Sequence, residues 1–198
     1  MPTNMSFSPD NRLLLVRDAA TILRIDGTVV LGFGGQGMIV SNDMQTIVTW
    51  SQPPHGPGSG NVSAQDGSGK YLWSNFSDDP GIVVTTDGDK IIARINVQQP
   101  TPKEEFYEPQ ESVLRLFARD GTLLREFPGL GGRPVAVSPD GRTVLLETGR
   151  SLDAIDLSGR LLYSVAAYPY ADKIAPDFSA VVVFSWGSDG DLEYFKLK

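Results

Sequence analysis

The chain has no cysteine and a single histidine among its 198 residues. The first absence removes disulfides, thiol catalysis and cysteine-ligated metal sites together. The second removes histidine pairs of the kind that hold zinc. Long apolar runs are also missing: the longest, such as Val181–Phe184, are far shorter than the roughly 20 residues a membrane helix needs. Positive charge is in deficit as well, with 17 basic against 24 acidic residues and a net charge of −7, which argues against nucleic acid or an anionic membrane as partner. The first residues, MPTNMSFSPDN, contain neither a basic n-region nor an apolar h-region. The expectation is therefore a cytoplasmic protein, with a trimmed chain as the alternative. At 40% hydrophobic residues the chain can bury a core, and global disorder is not expected.

What is present is repetition. VAVSPDGRTVLLET (Val135–Thr148) reads as two strands about a tight turn: Pro139 pre-sets φ, Asp140 tolerates the bridge conformation and Gly141 accepts positive φ. Similar stretches are SFSPDNRLLLV, IVSNDMQTIVTW, VVTTDGDKIIAR and IAPDFSAVVVF, with turn aspartates Asp10, Asp43, Asp87, Asp140 and Asp177. Between them lie IDGTVV, QDGSGKYLW, RDGTLLREF and LSGRLLYS, each placing Asp-Gly or Ser-Gly before a new apolar run. These read as hairpin turns closed at Gly27, Gly67, Gly121 and Gly159. The unit is strand, aspartate turn, strand, connection, strand, glycine turn, strand, recurring every 40 to 50 residues or so, which is the period of a propeller blade. Segment Pro109–Arg119 has apolar residues at helical spacing. Alignment of LRLFARDGTLL with LRIDGTVV nevertheless assigns Val113–Ala118 to a strand.

On these motifs the chain resembles β-propellers of the WD-repeat superfamily, nearest the variant with a Ser-Pro-Asp-Gly turn. The Gly-His and Trp-Asp dipeptides of the narrow WD family are absent, the tryptophans standing in Trp50-Ser51, Trp73-Ser74 and Trp186-Gly187. The fold expectation is all-β: one β-propeller domain over residues 1–198, with five four-stranded blades at about 4–37, 38–80, 81–132, 133–170 and 171–198. The fifth glycine turn would fall at the last residue, so the fifth blade should have three strands. An all-β sandwich is the alternative.

In such a propeller the links between second and third strands share one face, opposite the hairpin turns. Two long insertions, Ser51–Asn61 and Gln98–Glu111, would then lie side by side. The first carries His55. The second carries Phe106 and Tyr107 among glutamates. Alignment on the turn aspartates adds the far ends of the second strands, Arg17, Trp50, Arg94, Glu147 and Phe184, followed by Trp186. Arginine and tryptophan are favoured interface anchors, while blade packing is the competing role for each tryptophan. Exposure in a loop is the competing role for His55.

No nucleophile elbow, phosphate loop or metal motif stands out. GFGGQG precedes a strand rather than a helix, and GSDGDLE is shorter than a calcium loop. No catalytic residue, metal or cofactor is expected. The leading expectation is a protein-interaction or scaffold module that uses the face carrying 51–61 and 98–111. A carbohydrate-binding protein or a glycosidase is the alternative, with Trp50, Trp186 or Tyr107 as stacking platforms. Partners would be a protein or peptide, or a carbohydrate, but not nucleic acid or membrane. Self-association through the incomplete fifth blade remains open.

Overall fold

A computed structural model describes residues 5–8, 11–16, 21–32, 37–51, 60–77, 81–96, 112–166, 169–175, 178–185 and 192–196. They form five antiparallel sheets in chain order. Sheet 1 holds β1 (Met5–Phe7), β2 (Leu13–Val16), β3 (Thr21–Arg24) and β4 (Val29–Gly32). Sheet 2 holds β5 (Gly37–Val40), β6 (Thr46–Ser51), β7 (Gly60–Asp66) and β8 (Tyr71–Ser77). Sheet 3 holds β9 (Ile82–Val84), β10 (Lys90–Asn96), β11 (Ser112–Ala118) and β12 (Leu123–Phe127). Sheet 4 holds β13 (Arg133–Val137), β14 (Thr143–Glu147), β15 (Ser151–Asp156) and β16 (Leu161–Ala166). Sheet 5 has three strands, β17 (Pro169–Ile174), β18 (Ala180–Ser185) and β19 (Leu192–Lys196). The segment with helical spacing is strand β11, extended and paired on both edges.

The second strands of sheets 2, 3 and 4 are apolar on both faces because each of these sheets is packed on both sides. Ile47 joins Leu15, Ile22 and Met44 between sheets 1 and 2. The next residue, Val48, joins Trp73, Ile91 and Phe117 between sheets 2 and 3. The same division separates Ile91 from Ile92, which packs with Leu114, Phe127 and Val144 between sheets 3 and 4. Leu145 then turns to the seam with sheet 5, where Ile174 and Phe178 lie half-buried. Two-sided burial explains the continuous runs TIV, KIIA and TVLL, which an isolated half-exposed strand would replace by alternation.

Both hairpin turns of a sheet lie at one end. The first turn has a fixed chemistry. The Ser41, Thr85 and Ser138 hydroxyls donate to Asp43, Asp87 and Asp140 at 2.5, 2.6 and 2.5 Å. Each hydroxyl also accepts the N–H five residues on, from Thr46, Lys90 and Thr143 at 3.0, 3.0 and 2.9 Å. The fourth residue of the turn has positive φ: Gly88 and Gly141, but Asn11, Met44 and Phe178 in the other three sheets. The second turn closes on a positive-φ glycine at Gly27, Gly121 and Gly159, as the sequence suggests. In sheet 2 the glycine is Gly69, not Gly67: Asp66 opens that turn and accepts the N–H of Gly69 on its carbonyl at 2.8 Å. Two glycines in QDGSG made the register ambiguous, and the Asp66 side chain, bonded to Ser68 and Lys70, resolves it.

Gly121 is held by more than φ. A Cβ on it would stand 2.5 Å from the Trp73 ring, while one on Gly27, at similar φ, would meet nothing within 4 Å. Gly121→Ala should therefore cost about 2–4 kcal/mol and Gly27→Ala only about 1 kcal/mol. Urea midpoints at constant m-value test this. Equal losses at the two sites would show that the Trp73 contact carries nothing.

Candidate functional site

The ends of the sheets differ in kind. At the turn end, sheets 2 and 3 are tied by polar groups that the apolar seam cannot supply. The buried Thr46 hydroxyl donates to the Gly88 carbonyl at 2.8 Å, and Trp73 Nε1 donates to the Arg119 carbonyl at 3.2 Å. The Trp73 and Phe117 rings stack with centroids 5.0 Å apart. The Arg119 guanidinium donates to the Asp87 carbonyl at 2.9 Å, to Asp89 Oδ1 at 3.0 Å and to the Gly88 carbonyl at 3.3 Å. It also lies 3.7 Å from Asp43 of sheet 2.

Beside this clasp opens a shallow cleft of about 500 Å3, lined by Gln45, Asp66, Leu72, Asp89, Ala118, Arg119 and Asp120. Three carboxylates against one arginine make it acidic, and its lining contains no nucleophile with a base. Its carboxylates also serve the turns. The Ser68 hydroxyl, with the Lys70 and Ser68 N–H groups, holds the Asp66 carboxyl below the usual carboxylate range. The Thr122 N–H does the same for Asp120. Among the described residues no group of three or more histidine, cysteine, aspartate or glutamate side chains could hold a metal ion. Sequence reasoning missed this cleft because Asp-Gly pairs read as turn chemistry alone. The closeness of two such turns from neighbouring sheets is a tertiary fact.

Of the residues singled out from sequence, those described lie at the opposite end. Trp50, Arg94 and Glu147 stand within two residues of the ends of β6, β10 and β14, away from the turns. Trp50 is half-buried against the seam of sheets 2 and 3. Its ring covers Gly37, where a Cβ would come within 1.9 Å, so packing describes it well. Arg94 donates through Nε to the Ser112 hydroxyl at 2.5 Å, bridging the strands that flank the second insertion. Glu147 is half-buried and stands in register with Arg133 of β13. Phe184 is in β18, in register with Tyr170 and Leu192. Arg17, His55, Phe106, Tyr107 and Trp186 lie outside the described residues, as do most of the two insertions. Their anchors are described: Ser51 and Gly60 in sheet 2, Asn96 and Ser112 in sheet 3. These anchors bring both insertions to the same end of neighbouring, packed sheets.

No protein-family model matches the chain, and no curated protein matches it. Solved structures do. Hydrazine synthase of Kuenenia stuttgartiensis superposes with a TM-score of 0.61 at 14% identity, covering 99% of this chain and 71% of that one. TolB from Acinetobacter baumannii gives 0.60 at 15% identity, over 98% and 51%. BamB from Moraxella catarrhalis gives 0.56 at 14%, over 99% and 58%. The chain thus spans half to seven-tenths of these proteins. All three matches are of β-propeller type, and at such identity the likeness concerns the fold. The chain is an all-β protein of propeller type.

The turn aspartates set an acid limit. Asp26, Asp66, Asp87, Asp120, Asp140 and Asp156 all lie below the usual value of 3.8. The Ser158 hydroxyl, helped by backbone N–H groups and Arg160, brings Asp156 to about 2. A carboxyl depressed in the folded state stabilises fully above its unfolded pKa and loses that contribution as pH falls through the folded one. The urea midpoint should hold between about pH 5 and 7 and fall between about pH 4 and 2. The gap between the wild type and Asp156→Asn should be widest at neutral pH and close towards pH 2. A gap independent of pH would remove the turn carboxylates as its cause.

Proposed function

We propose that the chain is a five-bladed β-propeller, one domain whose sheets close into a ring. In this reading it works in the cytoplasm as a non-catalytic protein-interaction scaffold. The surface is the end that carries residues 51–61 and 98–111. One observation carries the reading. β6 and β10 both run from the turn end to the far end, in sheets that share the Val48, Trp73, Ile91 and Phe117 seam. The two longest insertions therefore leave and re-enter the scaffold at neighbouring points. Long segments on a rigid frame are a common location for recognition, and paired insertions give a partner more surface than either alone. The order in which each sheet packs on the next supports ring closure, as does the propeller type of the matching folds.

Arg94 is the anchor we assign to this surface from the described residues, since its bond to Ser112 fixes it beside the second insertion. Arg17, Trp50, His55, Phe106, Tyr107, Glu147 and Trp186 complete the proposal from sequence. The packing of Trp50 over Gly37 disfavours the carbohydrate reading at that position, because a stacking platform needs a free ring face.

The test replaces residues 52–59 and 98–110 by short Gly-Ser linkers, singly and together. Partners identified by cross-linking to the full chain should be lost from the doubly replaced chain, with the melting temperature changed by no more than about 2–4 °C. Equal recovery of the same partners by both chains would overturn the reading. Saturable glycan binding that survives the replacement would favour the carbohydrate alternative.

A further inference from the structure

The cleft between the turns of sheets 2 and 3 has a lining that the neighbouring seams do not share. Each glycine turn is opened by the residue whose carbonyl accepts the glycine N–H: Arg24, Asp66, Ala118 and Asp156 in sheets 1 to 4. Its third residue is Asp26, Ser68, Asp120 and Ser158 in the same order. An aspartate holds the turn equally well from either place, since Asp66 and Asp156 do so from the first and Asp26 and Asp120 from the third. The cleft takes the first residue of sheet 2, Asp66, the third of sheet 3, Asp120, and Asp89, which follows the positive-φ Gly88. The same places hold Arg24, Ser68 and Gln45 where sheets 1 and 2 meet. They hold Ala118, Ser158 and Arg142 where sheets 3 and 4 meet. The turns therefore do not require carboxylates on both walls of this seam.

Arg119 offsets part of the charge, but it is committed to Asp89 at 3.0 Å and to the Asp87 and Gly88 carbonyls. Asp66 and Asp120 form no ion pair among the described residues. Both accept turn hydrogen bonds through Oδ1, and Lys70 is the smallest of the influences on Asp66. Between them the lining is apolar, from Leu72 and Ala118. Leu123, three residues beyond Asp120, stands in register with Phe117 of the same seam and is 49% exposed. A carboxylate on each wall with aliphatic surface between suits a cation carried on an apolar stem, as in a lysine or arginine side chain. The volume of about 500 Å3 falls within the usual range of ligand sites.

We propose that this cleft binds a short extended segment of a partner protein in which two basic residues flank an apolar one. The basic side chains pair with Asp66 and Asp120, and the apolar one packs on Leu72 and Leu123. The cleft lies at the turn end, away from residues 51–61 and 98–111, so the inference does not rest on the loop reading.

The probes are two fluorescein-labelled peptides, Gly-Lys-Leu-Lys-Gly and Gly-Gln-Leu-Gln-Gly, with spermidine as competitor. Anisotropy titrations on the full chain should show saturable binding of the lysine peptide, about fivefold or more tighter than the glutamine peptide. Asp66→Asn and Asp120→Asn keep a side-chain acceptor for the turn, and each should weaken the lysine peptide about two- to fivefold. Asp156→Asn, the same change in the turn of sheet 4, should leave its affinity unaltered. If the cleft variants do not fold, hydrogen exchange on the unaltered protein decides, with new protection expected at Leu72 and Ala118–Thr122. The chain with both insertions replaced should bind the peptide as the unaltered chain does, which separates this result from that of the loop reading. The proposal is overturned by absence of saturable binding, by equal losses in Asp120→Asn and Asp156→Asn, or by protection that falls elsewhere. Spermidine that binds as tightly as the peptide and displaces it would overturn it too, and would assign the cleft to a small polyamine.

Discussion

Neighbouring residues on the second strand of a sheet belong to different cores. Ile47 and Val48, Ile91 and Ile92, and Leu145 and Leu146 each divide between the seam before and the seam behind. A slip of one residue would exchange the two sets and mismatch both seams at once. Register is therefore the constraint on which the packing depends, and the first turn enforces it. The hydroxyls of Ser8, Ser41, Thr85 and Ser138 each accept the N–H that begins the second strand. In the last three turns the same hydroxyl donates to the turn aspartate. The carboxylate in turn takes the N–H two residues on, from Gln45, Asp89 and Arg142. Asp43, Asp87 and Asp140 are thus registration devices. Sheet 5 departs from this pattern, since Ala175 supplies no hydroxyl where the others have one, although its backbone closes the same turn.

The two ends of the molecule follow from that arrangement. Turns that hold register must be short and rigid, so the end that carries them is filled by the polar clasp of Thr46, Trp73 and Arg119. A buried hydroxyl or indole N–H without a partner would cost about 1–3 kcal/mol, which explains why the aromatic seam carries these bonds. Length is tolerated at the other end. Links there connect strands already fixed from below, and a longer loop costs little additional closure entropy. Rigidity at one end is what allows the insertions at the other.

Much of the frame was readable from residue order, because it rests on local chemistry. Pro139-Asp140-Gly141 makes its turn wherever it lies, and Val113–Ala118 is a strand because its glycine turn matches that of Leu23–Val30 despite apolar spacing that suits a helix. Local chemistry was insufficient where two turns competed, as in QDGSG, where Gly69 rather than Gly67 takes the positive φ. The tryptophans were less legible still. An indole suits a core and a binding surface equally, and only the tertiary structure shows Gly37 beneath Trp50 and Phe117 against Trp73.

The amino-acid order by itself determined the strands, the turns and their repetition, since each depends on dihedral preference and hydrogen bonds within a few residues. The tertiary structure alone decided which residue of each apolar pair faces which seam. It also decided that Arg119 should reach across to Asp43, and that three turn aspartates should share one cleft. These are contacts between residues tens of positions apart, and no preference of a single residue encodes such a distance.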